Sequence, residues 1–200
     1  MTSSTDFYLA DRLLTDEARA LRDRARDFAE THVRPVAREA WEQGEFPREL
    51  VPRLGEIGIA GGLVDAHGEA ITCYEAALAY TKRREQFGNP LASFQLVQAK
   101  LVEMLEGITT TQLLLIQLGR LRDSGEMTPG MSALAKRHAT AMARSAAATA
   151  RELIGGHGIL QDNEVMRHLC DLEGVYTYEG TFDINTLIVG REITGIGAFA

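Results

Sequence analysis

Apolar positions recur at three- and four-residue steps along most of the chain. Leu14, Ala18, Leu21, Ala25 and Phe28 form the first such stripe. It follows Thr15, a good N-cap, and Asp16 and Glu17 occupy the first turn, where the helix dipole favours acids. Pro35 predicts a kink or interruption in this helix. A short helix is predicted from Pro47 to Gly55 or Gly58, because proline suits a first turn. The run Gly61-Gly62-Leu63-Val64-Asp65-Ala66-His67-Gly68 reads as a connector. The helical pattern resumes from Glu69 to near Gln86, with Ala70, Tyr74, Ala77 and Leu78 inward, and Gly88-Asn89-Pro90 breaks it. The longest stripe runs from Ser93 to Asp123 through Phe94, Val97, Leu101, Met104, Leu105, Ile108 and Leu115, and Ser124-Gly125 ends it.

Thr128-Pro129 opens the next helix with an N-cap and a first-turn proline. This helix is rich in alanine from Ala133 to Ala150, which lets neighbours pack close, and it ends at Gly155-Gly156. A shorter helix follows Asn163, and a last one starts near Asp183 and carries Ile184, Leu187 and Ile188. No segment alternates with period two, so no sheet is predicted. The pattern predicts an all-α fold. An antiparallel helical bundle spans residues 69–200, an amino-terminal helical segment spans 1–60 and packs on it, and 61–68 connects the two.

Composition narrows the function classes. Apolar residues make up 45% of the 200, enough for a folded core. The net charge of −7 argues against nonspecific nucleic-acid binding. No apolar run is long enough to span a bilayer, and the amino terminus lacks a basic segment followed by an apolar one. Cys73 and Cys170 lack ligand spacing and suit a reducing cytoplasm. The five histidines share no metal spacing, so no metal site is predicted. Met131 and Met142 read as core filler.

Three motifs carry candidate chemistry. Gly155-Gly156-His157-Gly158 reads first as a helix C-cap, because glycine tolerates the left-handed conformation that ends helices. Lys82-Arg83-Arg84 reads first as a basic helix end, and alternatively as a phosphate contact suited to the donor fork of arginine. Glu179 sits between two helices, where a glutamate is ordinarily a solvated loop residue. Its context is more specific: Tyr178-Glu179-Gly180-Thr181-Phe182-Asp183-Ile184, continuing through Leu187-Ile188-Val189-Gly190-Arg191-Glu192.

With Arg84-Glu85-Gln86-Phe87-Gly88, these segments resemble the carboxy-terminal helical domain of the acyl-CoA dehydrogenases, and within them the glutaryl-CoA dehydrogenase branch. The resemblance runs through residues 69–200. Residues 12–60 resemble the family's amino-terminal start. The family's middle β-barrel has no counterpart, and residues 61–68 stand in its place. The resemblance implies an FAD-dependent oxidoreductase acting on an acyl-CoA thioester and passing electrons to an acceptor that the sequence leaves unspecified. It implies Glu179 as catalytic base, with Gly180 at the substrate. It places Arg84, Phe87, Gln95, Glu152, Leu153, Ile154, Gly155, Gly156, Thr181 and Phe199 at FAD. Because Arg84, Phe87 and Gln95 reach a cofactor held mainly by another subunit, it also implies a homo-oligomer. A second reading from a different class stays open: a noncatalytic helical subunit or scaffold derived from such an enzyme.

Overall fold

The computed structural model describes residues 5–56 and 66–198. The chain forms two compact units, one from Leu9 to Val64 and one joining the amino-terminal residues to Asp65–Ala200.

In the first unit, α1 (Asp16–Phe28) starts as the pattern predicts: the Thr15 hydroxyl accepts a hydrogen bond from the Ala18 N–H at 3.2 Å. Next to Pro35 the α-helical pattern is interrupted, as the sequence predicts, though the chain stays helical. A π-helical turn at Ala29–Val33 precedes α2 (Arg34–Gln43), so the proline falls in the first turn of α2, where its missing N–H costs nothing. Gly44, at φ 65°, ends α2 in the left-handed conformation. The short helix α3 (Leu50–Glu56) begins three residues later than the Pro47 start read from the sequence.

The second unit is a helical bundle. Its helices are α4 (Ala66–Arg83), α5 (Gln95–Asp123), α6 (Pro129–Ile154), α7 (Val165–Thr177) and α8 (Phe182–Thr194). Helix α6 is central and packs against each of the other four. Its sequence explains this: Ala135, Ala139, Ala143, Ala146, Ala147 and Ala150 are all buried, and small side chains set a short distance between helix axes. Ile108, Leu172, Val165, Cys73 and Tyr74 fill the space around that stripe.

Several expectations shift at the edges. Helix α4 begins at Ala66, so the last three residues read as connector are helical; residues 61–65 lie outside the described residues. Where no sheet was expected, Glu85–Gln86 (β1) and Asn89–Pro90 (β2) form a two-residue antiparallel ladder. The turn between them has Phe87 at φ 54° and Gly88 at φ 76°, the paired positive angles of a tight hairpin. Met131 is exposed rather than in the core, because it sits in the first turn of α6, ahead of the buried alanine stripe, whereas Met142 packs against the core. Among the described residues, no helix is long and apolar enough to cross a membrane.

Candidate functional site

The loop between α7 and α8 is built by its caps. Helix α7 ends at Thr177 with Tyr178 extended, and α8 starts where the Thr181 hydroxyl accepts from the Ile184 N–H at 3.2 Å. Glu179 at φ 53° and Gly180 at φ 91° make the turn. A glutamate in the left-handed region is strained, and such strain tends to collect at functional sites.

Two side chains hold this loop. Lys136, from α6, donates to the Tyr178 carbonyl and to the Glu179 carbonyl, the latter at 2.9 Å. Asn185, buried in α8, donates to the Gly180 carbonyl at 2.7 Å and the Thr181 carbonyl at 3.0 Å. Four consecutive carbonyls are therefore engaged, and the Glu179 carboxylate stays exposed. The loop's flanks are pinned to α6 as well. The Tyr176 and Phe182 rings stack at 5.1 Å, with the Arg144 guanidinium 4.1 Å over Tyr176 and that of Arg137 4.2 Å over Phe182. Arg144 also forks onto Glu173 at 2.8 and 2.9 Å. Burial, then the negative charges of Glu179, Glu69 and Asp171, push the Tyr178 phenol up, so it stays neutral.

A second constellation lies at the carboxy-terminal end of α6. Tyr80, Arg83, Arg84, Glu85 and His157 line an open cleft of about 430 Å³. The Tyr80 hydroxyl and His157 Nδ1 lie 3.1 Å apart. Gly155 turns the chain at φ 68°, and the positions of absent side chains at Gly155 and Gly156 meet no atom within 4 Å, so backbone there is open to approach. Gly158 is different: a Cβ there would sit 2.6 Å from the Arg151 carbonyl oxygen. Gly158→Ala is expected to lower stability by about 1–3 kcal/mol through overpacking against fixed backbone, read as a drop in denaturant midpoint.

The remaining expected site residues are spread around this end. Phe87 is 91% exposed at the hairpin tip, and Gln95 is exposed at the start of α5. Glu152 pairs with Lys100 of α5, whose hydrogen bond and positive charge lower the carboxyl's pKa. Leu153 is half-buried, and Ile154 is in the core, so only its backbone is available to a ligand. Phe199 lies outside the described residues. The structure thus joins Arg84 to the glycine segment but leaves both far from Glu179. Lys136 and Glu152 share α6, which at 1.5 Å per residue separates them by about 24 Å.

Sequence reasoning missed Lys136, Asn185, Tyr80 and His157. Asn185 carried a signal, a poor helix former inside an apolar-periodic helix. His157 lay within a quoted motif but was read as ordinary, and Lys136 carried no local signal. Cys73 is no nucleophile: burial pushes its thiol up to about 12. Among the described residues, no group of three or more His, Cys, Asp or Glu is placed to hold a metal ion.

Residues 60–194 match the family described as acyl-CoA dehydrogenase, C-terminal domain. An acyl-CoA dehydrogenase of Bacillus subtilis is 34% identical over 142 residues, 71% of this chain and 37% of that protein. The crystal structure of glutaryl-CoA dehydrogenase from Mycobacterium smegmatis superposes with TM-score 0.67 at 45% identity, over 68% of this chain and 35% of that one. A glutaryl-CoA dehydrogenase from the same organism, in complex with FADH2, superposes with TM-score 0.66 at 38% identity, over the same shares of the two chains. The chain thus spans about a third of the length of these relatives. Motifs, bundle and relatives agree, and the chain belongs to the acyl-CoA dehydrogenase family through its carboxy-terminal helical domain.

Proposed function

We propose that this chain takes part in FAD-dependent α,β-dehydrogenation of an acyl-CoA thioester of the glutaryl-CoA type, with Glu179 as the base. The observation that carries the reading is the loop after α7, which leaves the Glu179 carboxylate exposed while its backbone is held from two sides. In this reading the carboxylate takes the α-proton of the thioester. The Glu179 N–H donates to the thioester oxygen as the enolate develops, and Gly180 lies against the substrate. FAD, when bound, supplies the acceptor for the hydride leaving the β-carbon.

The residues around the cleft fit the anionic diphosphate of that cofactor: Arg83 and Arg84 bring cations, and Tyr80 and His157 bring a hydroxyl and a ring nitrogen that can donate. Arg84 would hold phosphate, and the backbone of Glu152, Leu153, Ile154, Gly155 and Gly156 would approach the cofactor. Phe87, Gln95, Thr181 and Phe199 complete the proposed set. The long separation of Arg84 from Glu179 supports a homo-oligomer, in which a cofactor beside one copy's Glu179 meets the other copy's Arg84. Residues 69–200 are the catalytic helical domain in this reading, 61–68 the connector and 1–60 the amino-terminal segment, and the protein works in the cytoplasm.

Purified protein incubated with FAD and freed of excess is expected to retain flavin absorbance. Arg84→Ala is expected to weaken FAD binding roughly ten- to a hundredfold, the loss of a charge-assisted contact of about 1.5–3 kcal/mol. Equal affinity in the variant would reduce Arg84 to a helix end. The solvent exposure of the Glu179 carboxylate favours a second reading, a noncatalytic helical subunit. Protein that retains no flavin under any of these conditions supports that reading.

A further inference from the structure

We infer that Lys136 is a positioning residue which aims the backbone amides of Glu179 and Gly180 at the substrate side of the loop. The inference rests on the reading of Glu179 as base and adds to it a device that lies outside the loop's own sequence.

The argument starts from peptide geometry. In a trans peptide the carbonyl oxygen of one residue and the N–H of the next point in opposite directions within one plane. Among the described residues no peptide is cis. The Lys136 ammonium binds the Tyr178 carbonyl and the Glu179 carbonyl. It therefore orients two successive peptide planes. The N–H of Glu179 must point away from Lys136, and so must the N–H of Gly180. Neither amide finds a hydrogen-bond partner among the described residues. Asn185 does the same for the next two carbonyls from inside α8, which stops the loop from pivoting about Gly180.

The outcome is a pair of unpaired N–H donors beside an exposed carboxylate. That set suits a thioester, which must lose an α-proton to a base while negative charge grows on its carbonyl oxygen. Lys136 itself faces the tyrosine: its Nζ lies 5.6 Å from the Tyr178 ring centre, on the carbonyl side of the loop. It serves as an anchor rather than as a reacting group. The anchor is rigid because Lys136 belongs to the central helix, whose next residue, Arg137, grips Phe182 and Thr186 beyond the loop. Every atom of this arrangement lies within α6, α8 and the loop that joins α7 to α8.

The test compares Lys136→Met, which keeps the length of the side chain and removes its donors, with Lys136→Arg, which keeps charge and donors. In an amide correlation spectrum of the full chain, Lys136→Met is expected to shift or broaden the Glu179 and Gly180 signals by more than a linewidth. The signals of Ala70 and Ala77 in the core are expected to stay in place, and Lys136→Arg should restore most of the wild-type positions. With glutaryl-CoA and FAD in D2O, wild-type protein is expected to exchange the α-protons. Lys136→Met should slow the maximal rate of exchange about ten- to a hundredfold with KM nearly unchanged, the pattern of a misaimed donor. Unmoved Glu179 and Gly180 signals in Lys136→Met would overturn the inference. So would a rise in KM at constant maximal rate, which would make Lys136 a plain binding contact. If the wild-type chain exchanges no protons while the two amide signals move as expected, the clamp stands and the reaction assigned to it falls.

Discussion

Glu179→Gln is expected to remove α-proton exchange and any acyl-CoA dehydrogenation, a loss of about 10²–10⁴-fold or more, with the helical circular dichroism unchanged. Glutamine keeps the shape of the side chain and cannot take a proton at neutral pH. Among the described residues the loop is held through backbone carbonyls by Lys136 and Asn185 and not through the Glu179 carboxylate. A companion variant sharpens the point. Glu179 sits at φ 53°, a conformation that glycine adopts freely. Glu179→Gly is expected to stabilise the chain by about 1 kcal/mol while removing the same activity. A gain in stability with a loss of chemistry would mark the strained glutamate as kept for function. Activity that survives Glu179→Gln would put the base elsewhere.

Leu172→Ala is expected to cost about 2–5 kcal/mol, the price of a cavity in a tightly packed core. Leu172 is fully buried in α7, among the side chains gathered around the alanine stripe of α6. The loss is a large part of the stability typical of a domain. It should lower the melting temperature by roughly 10 °C and move the denaturant midpoint at constant slope. Leu96, 80% exposed on α5, is the control, and its replacement by alanine should change stability by less than about 0.5 kcal/mol. The effect on Glu179 is indirect. Helix α7 delivers the loop, so a loosened α7 blurs the position of every group in it.

Helix identity and caps were legible in the linear pattern because they depend on local rules. Thr15 and Thr128, read as caps from the sequence, cap α1 and α6 through their own hydroxyls, bonding N–H groups three residues ahead, whereas the Thr181 cap of α8 was not read and emerged from the structure. The alanine stripe of α6 marked it as a helix with close neighbours, and α6 is the helix the others surround. The motifs around Arg84, Gly155 and Glu179 could be quoted from the chain because each is contiguous.

Tertiary structure decided what these motifs meet. Pro35 marked an interruption, and only the structure showed its form, a π-turn upstream that puts the proline in a helix start. The hairpin at Glu85–Pro90 escaped a search for alternation because two residues per strand are too few to alternate. Ile154 lay in a motif assigned to the cofactor and fell into the core, because the helix face it occupies is fixed by where α6 packs.

By itself the sequence determined a mainly helical chain, its family and the contiguous motif around Glu179, since helix periodicity, capping and contiguous motifs are properties of neighbouring residues. Only the tertiary structure decided that Lys136 and Asn185 hold the loop carrying Glu179, and that Arg84 lies beside the carboxy-terminal end of α6, far along that helix from Lys136. Those relations join residues far apart in the chain, and packing alone sets the distances between them.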